Sequence, residues 1–119
     1  MTKFLLVEDN ADMRQALRQM LIDLGEVYEY GNGEDAFLAY TQYQPDWVLM
    51  DIKLGRTNGI AAISSIKAAF PEARIVMVTM YGDEELREAA RQAGACGYVL
   101  KENLTPLLML FRQNYPLPD

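Results

Sequence analysis

The sequence contains no histidine and a single cysteine, Cys96. Without imidazole there is no histidine general base, no phosphohistidine carriage and almost no route to a zinc site. One thiol excludes an internal disulfide and suits a reducing compartment. Long apolar runs are missing too. The first, Phe4 to Val7, is too short for a signal-peptide core, and nothing approaches the roughly 20 residues of a membrane span. Positive charge is scarce: 11 Lys and Arg stand against 17 Asp and Glu, a net −6. That balance disfavours non-specific binding to nucleic acid or anionic lipid. What is present is a chain of 119 residues, 50% hydrophobic and 24% charged. Such a length fits one domain over residues 1–119, with enough core to fold without staples. The expectation is a cytoplasmic, acidic protein with no membrane partner and no direct nucleic-acid contact.

Strand and helix patterns alternate along the chain. Lys3 to Val7 is a short apolar run ending in Glu8 and Asp9. Met13, Leu17, Met20, Leu21 and Leu24 then share one helical stripe, with Gly25 in the place of a C-cap. Val27 to Tyr30 reads as a weaker strand. Asn32-Gly33 carries a hairpin signal, but Ala36, Phe37, Tyr40 and Tyr43 have helical spacing. A loop feeding a helix fits better, with Glu34 and Asp35 in its first turn and Pro45 beyond its end. Trp47 to Met50 is the third strand and ends on Asp51. The loop Ile52 to Asn58 leads to Gly59 and a stripe of Ile60, Ile63, Ile66 and Phe70, stopped by Pro71. Ile75 to Val78 ends on Thr79. Leu86, Ala89, Ala90 and Ala93 precede the cap Gly94, and Gly97 to Leu100 ends on Lys101. Thr105 and Pro106 look like the N-cap and first turn of a last helix, Leu107 to about Tyr115, with Pro116 and Pro118 beyond. Five βα units with continuous apolar strands predict an α/β fold: a three-layer, doubly wound (βα)5 arrangement around a five-stranded parallel sheet. Flavodoxin-like is the common strand order.

In such a sheet, ligands bind beyond the carboxyl ends of the strands. Glu8, Asp9, Asp51, Thr79 and Lys101 all fall at strand ends. Converging carboxylates repel and call for a cation, and an oxygen-only donor set selects Mg2+, with Mn2+ as the second candidate. Asp51 could attack phosphorus as a nucleophile. The metal and Lys101 would neutralise charge on phosphoryl oxygens, and Thr79 would donate a hydrogen bond. Each residue alone has an ordinary reading: the acids as helix caps, Thr79 as a strand end, Lys101 as a solvated surface lysine, Tyr98 as a packing aromatic. Their arrival at one sheet edge is what discriminates.

The ordered set Leu6-Val7-Glu8-Asp9, Leu49-Met50-Asp51, Gly59, Val78-Thr79 and Gly97-Tyr98-Val99-Leu100-Lys101 resembles the receiver domain of two-component response regulators. The resemblance covers essentially the whole chain and has a chemotaxis-receiver character. The run Ala93-Gly94-Ala95 through Lys101-Glu102 is similar to receivers that precede helix-turn-helix output domains. The resemblance implies that Asp51 accepts a phosphoryl group from a sensor histidine kinase or phosphotransfer protein. It implies Mg2+ held by Glu8, Asp9, Asp51 and the carbonyl of Lys53. Lys101 would contact the phosphoryl group, Thr79 would move to bond it, and Tyr98 would swing inward. The surface of the last helices would then change partners. The chain would be no enzyme beyond catalysing its own phosphotransfer and a slow autodephosphorylation.

Some positions depart from that pattern. Glu8 stands where aspartate is also common. Leu54-Gly55 replaces a usual Met-Pro, which should loosen the loop. Glu102, not proline, follows Lys101, so the bond is expected to be trans, or cis under strain. Lys53 and Tyr81 lie two residues beyond Asp51 and Thr79, where they would overhang the phosphoryl group and hinder water. Leu107-Leu108-Met109-Leu110-Phe111 is apolar all round, which suggests a homodimer or output-domain surface; the plainer reading is a rotated helix with stray apolar residues. An aspartyl hydrolase would want a second Asp where Lys53 stands. A phosphorylation-independent binding module on the same fold is the alternative.

Overall fold

The computed structural model describes residues 2–54 and 57–114. Its strands are β1 (Thr2–Val7), β2 (Gly25–Tyr30), β3 (Trp47–Met50), β4 (Lys53–Leu54), β5 (Thr57–Asn58), β6 (Ile75–Thr79) and β7 (Gly97–Leu100). Five helices alternate with them: α1 (Ala11–Leu21), α2 (Ala36–Tyr43), α3 (Gly59–Ala69), α4 (Glu84–Ala93) and α5 (Thr105–Asn114). The main sheet is parallel in the order β2-β1-β3-β6-β7. This is the flavodoxin-like (βα)5 fold. The strand order reverses between β1 and β3, which opens a crevice where Glu8 and Asp51 emerge.

The central strands are apolar throughout because both faces are covered. Leu5, Val7, Val48, Met50, Ile75 and Met77 pack on one face with Ala39, Tyr40, Ile63, Ile66 and Ala90. Phe4, Leu6, Leu49, Val76 and Val78 point the other way, onto Leu17, Leu21, Leu107 and Phe111. The Phe111 ring sits 5.1 Å from Phe4 and 5.0 Å from Trp47, so α5 is anchored by aromatic contact.

Several local expectations need correction. Gly25 is not a helix cap but the first residue of β2; α1 ends earlier, with Ile22 as its C-cap. A Cβ at Gly25 would lie 2.1 Å from the carbonyl oxygen of Thr2, so strand contact requires the glycine. Leu24 consequently falls off the α1 stripe and is exposed. Gly94 does cap α4, with φ at 115°. Glu34 and Asp35 precede α2 rather than occupying its first turn, and Asn32 Oδ1 accepts from the Asp35 N–H at 3.0 Å. The segment at 31–33 is a loop, as the helical spacing after it requires. The 52–58 loop contains a small antiparallel pair, β4 with β5. Thr105 is the first residue of α5 rather than its cap, and its N–H donates to Asn103 Oδ1 at 3.2 Å. The Lys101–Glu102 bond is trans, since no cis bond occurs among the described residues. Gly55 and residues 115–119 lie outside them, and with them the expected loosening at Leu54-Gly55 and the end of the last helix.

No helix among the described residues is long and apolar enough to cross a membrane. In α5, Leu107 and Phe111 are buried while Met109 is 64% exposed.

Candidate functional site

The parallel register sets the site. Val7 pairs with Met50, so the next residues, Glu8 and Asp51, leave the sheet side by side. Thr79 pairs with Leu100, which brings Lys101 in from the far strand; the Lys101 N–H donates to the Thr79 carbonyl at 2.8 Å. Glu8 and Asp51 are both buried, at 1% and 6% exposure, whereas Asp9 is exposed.

Lys101 joins the two buried acids. Its Nζ lies 2.6 Å from Glu8 Oε1 and 2.7 Å from Asp51 Oδ2. The other Asp51 oxygen, Oδ1, accepts from the Ile52 N–H at 2.6 Å. Glu8 Oε2 accepts from the Asn10 N–H at 3.1 Å. Burial holds the Glu8 carboxyl above the usual carboxylate range, against the opposing pull of Lys101 and the Asn10 N–H. Burial alone would lower the Lys101 pKa, but its bonds to Asp51 and Glu8 outweigh that, and the ammonium is held above its ordinary value.

One oxygen each from Glu8, Asp9 and Asp51 lie within 4.8 Å of one another. Two oxygens bound to one Mg2+ at about 2.1 Å are at most about 4.2 Å apart, so small adjustments let this set close on the ion. The donors are all hard oxygens and there is no imidazole to draw a softer metal. The residues present fit the cation.

The remaining expected residues are arranged differently from one another. Thr79 is fully buried, and its Oγ1 accepts from the Tyr81 N–H at a long 3.4 Å. Lys53 is exposed and places its Nζ 4.9 Å from the centroid of the Tyr81 ring. Tyr98 is half-buried against the core, with its hydroxyl donating to the Tyr81 carbonyl at 2.5 Å and the Arg87 guanidinium 4.7 Å from its ring centroid. Neither acid caps α1; the cap is Asn10, whose Oδ1 accepts from the Met13 N–H at 2.9 Å. The bond from Tyr98 to Tyr81 was not legible, because its acceptor is a main-chain carbonyl. Arg14, whose Nη1 donates to the Glu8 carbonyl at 2.7 Å, was missed as well. Its signal is its position, one helical turn beyond the cap Asn10.

The molecule is thus a doubly wound α/β protein with two buried acids and a bridging lysine at the carboxyl edge of its sheet. Residues 4–110 match the family model described as the response regulator receiver domain, and the chain belongs to that family. The chemotaxis protein CheY of Halobacterium salinarum is 42% identical over 106 residues, which cover 88% of each chain. Among solved structures, a LuxR-family two-component response regulator from an Aurantimonas species is similar at a TM-score of 0.83. It shares 28% identity over 96% of this chain and 84% of that one. A Burkholderia pseudomallei response regulator, solved with a phosphorylated aspartic acid, calcium ion and citrate, gives 0.85 at 25% identity, covering 96% of this chain and 68% of the other. The chain spans about half the length of several transcriptional regulators that it also matches, 47–49% of theirs. Receiver domains of two-component systems are signalling switches rather than conventional enzymes, and they bind Mg2+ at an acidic pocket.

Proposed function

We propose that this chain is a phosphorylation-controlled switch of a two-component phosphorelay, with Asp51 as its phosphoryl acceptor and the receiver spanning residues 1–119. The observation that carries the reading is the Lys101 bridge, 2.6 Å to Glu8 and 2.7 Å to Asp51, at the edge where an exposed third acid completes the cluster. A lysine between two buried carboxylates balances charge before phosphorylation and faces the added oxygens afterwards. The donor is the phosphohistidine of a sensor histidine kinase or phosphotransfer protein. An Asp51 oxygen bonds to phosphorus as the bond to the donor's imidazole nitrogen breaks.

Glu8, Asp9, Asp51 and the Lys53 carbonyl would hold Mg2+, which supplies positive charge against the phosphoryl oxygens; Mn2+ suits the same donors. The phosphorylated aspartate and calcium ion of the Burkholderia relative support this arrangement, since calcium is also a hard, oxygen-seeking ion. Lys101 keeps its charge at the site and bonds a phosphoryl oxygen. Thr79 reorients its hydroxyl from the Tyr81 N–H toward the new group. Tyr98, tied to the same Tyr81 segment, transmits the change to α4, β7 and α5. The output is a partner or domain engaged through that surface, with Met109 as its exposed apolar contact; self-association through α5 is the second form. The chain would work in the cytoplasm, where the kinase presents its histidine.

Intact mass after incubation with Mg2+ and acetyl phosphate tests this, beside Asp51→Asn. A single hydroxylamine-labile phosphate adduct that needs the metal and is lost in the variant is expected. No adduct on folded protein, from acetyl phosphate or phosphoramidate, would overturn the reading in favour of a phosphorylation-independent binding module.

A further inference from the structure

We infer that Arg14 is a positioning residue for the acid pair Glu8-Asp9, and that it sets the affinity of the pocket for Mg2+. The inference rests on the metal-binding reading above. The two acids lie on the short connection between β1 and α1, after the sheet has ended. On its amide side that connection is held by the Glu8 N–H, which donates to the Tyr30 carbonyl at 3.0 Å. On the carbonyl side the hold comes from a side chain: Arg14 Nη1 donates to the Glu8 oxygen at 2.7 Å. That oxygen belongs to the peptide unit joining Glu8 to Asp9. Fixing its direction fixes the plane from which the Asp9 side chain departs.

The guanidinium is itself held in place. Its Nε lies 3.7 Å from Glu29 Oε1, and Arg18 Nη1 binds the other Glu29 oxygen at 2.5 Å. Gly31, just past the end of β2, lies beside it: a Cβ there would be in ordinary contact, 3.4 Å from Arg14 Nη1. Asn10 fixes the helix that carries Arg14, since the Arg14 N–H donates to the Asn10 carbonyl at 2.9 Å. The residue therefore closes a ring from β1 through α1 to β2.

Such a brace is needed here. Three carboxylates gathered within 4.8 Å repel, and Asp9 is the one that burial does not confine. With the peptide free to rotate, the exposed Asp9 carboxylate would leave the cluster, and the ion would have to recover that ordering when it binds. A metal's ligands depend on such supporting bonds, whose loss typically costs about 10- to 100-fold in affinity. Arg14 acts on the main chain of one acid and the orientation of the next, so its removal should appear first in metal binding.

The test is a calorimetric Mg2+ titration of the wild type, Arg14→Met and Arg14→Lys, with backbone amide spectra of Asp9 and Asn10. Arg14→Met keeps the length of the side chain and loses the donor. We expect Mg2+ to bind it about tenfold more weakly, with the rate of Asp51 phosphorylation recovering at saturating Mg2+. Arg14→Lys should regain part of the affinity, and the Asp9 amide should broaden or shift in the Met variant alone. Glu29→Gln, which loosens the brace without touching the loop, should give a smaller loss and serves if Arg14→Met does not fold. Wild-type affinity in folded Arg14→Met, or in Glu29→Gln where that variant stands in, overturns the inference. A wild-type protein that binds no Mg2+ overturns the metal reading itself, a result distinguishable at once.

Discussion

The Lys53 ammonium sits 4.9 Å from the centroid of the Tyr81 ring, joining the two side chains that stand two residues past Asp51 and past Thr79. The pair links the β4 segment to the start of the β6–α4 loop. An exposed cation–π contact is worth about 0.5–1 kcal/mol. If water must part this pair to reach the phosphoryl group, that energy enters the barrier. The Lys53→Ala, Tyr81→Ala double variant should then lose its phosphate about two- to fivefold faster. Loss of the adduct with time, followed by intact mass, checks this; equal lifetimes would leave the pair without influence on water.

Gly59 opens α3 against the main chain of Asp51. A Cβ there would lie 1.9 Å from the Asp51 carbonyl oxygen, and the Gly59 N–H donates to the Ile52 carbonyl at 2.7 Å. Neither backbone can yield without moving the other. Gly59→Ala should therefore destabilise the fold by about 1–3 kcal/mol and displace Asp51 as well. Gly25→Ala makes a similar clash with Thr2, far from the acids. Urea melts should show both variants weakened. At a temperature where both are folded, only Gly59→Ala should lose phosphorylation by acetyl phosphate.

The contrast between these glycines shows what could be read from sequence. The strands and the acids were legible because buried parallel strands are continuous apolar runs, and Glu8, Asp51, Thr79 and Lys101 interrupt them at their ends. Gly25 was not, because a glycine after a helical stripe looks the same whether it caps the helix or admits a neighbouring strand. The β4–β5 pair has two residues per strand, too few for any period. Contacts to main-chain carbonyls, from Tyr98 to Tyr81 and from Arg14 to Glu8, leave no mark in residue type at the acceptor. Met80 is 68% exposed beside the buried Thr79, an apolar side chain at the site's rim that no periodicity singled out.

Glu8 gives the site an unusual pH dependence. Burial holds its carboxyl above the ordinary range, so ionised Glu8 is less favourable in the fold than in the unfolded chain. That cost is present above the unfolded value of about 4.3 and is relieved as pH falls through the raised folded value. Glu8→Gln removes it. Without Mg2+, the variant should be more stable than the wild type near about pH 7, with the gap closing toward about pH 4. The same variant should bind Mg2+ more weakly, since it loses an anionic ligand. Urea melts across that range, with and without the ion, separate the two effects. A wild type more stable than Glu8→Gln near neutrality would mean that the Lys101 ion pair outweighs the burial.

Lys101 offers the opposite case. Its ammonium is held above its ordinary value by Asp51 and Glu8, so its stabilisation is present below about pH 10.4 and is lost only as pH rises through the still higher folded value. Near neutrality it is fully in place. Lys101→Met leaves Glu8 and Asp51 buried together with no cation between them, a loss of the kind that costs about 3–5 kcal/mol. Mg2+ can replace part of that charge: at about 100 times its dissociation constant, an ion that binds only the folded state restores about 2.7 kcal/mol. The variant should therefore melt well below the wild type in chelator, recover much of the difference in excess Mg2+, and still phosphorylate slowly, because the ion stands in for charge balance but not for the hydrogen bond to the phosphoryl oxygen. If Lys101→Met is as stable as the wild type in chelator, the two acids share a proton there and the lysine is not needed to hold them.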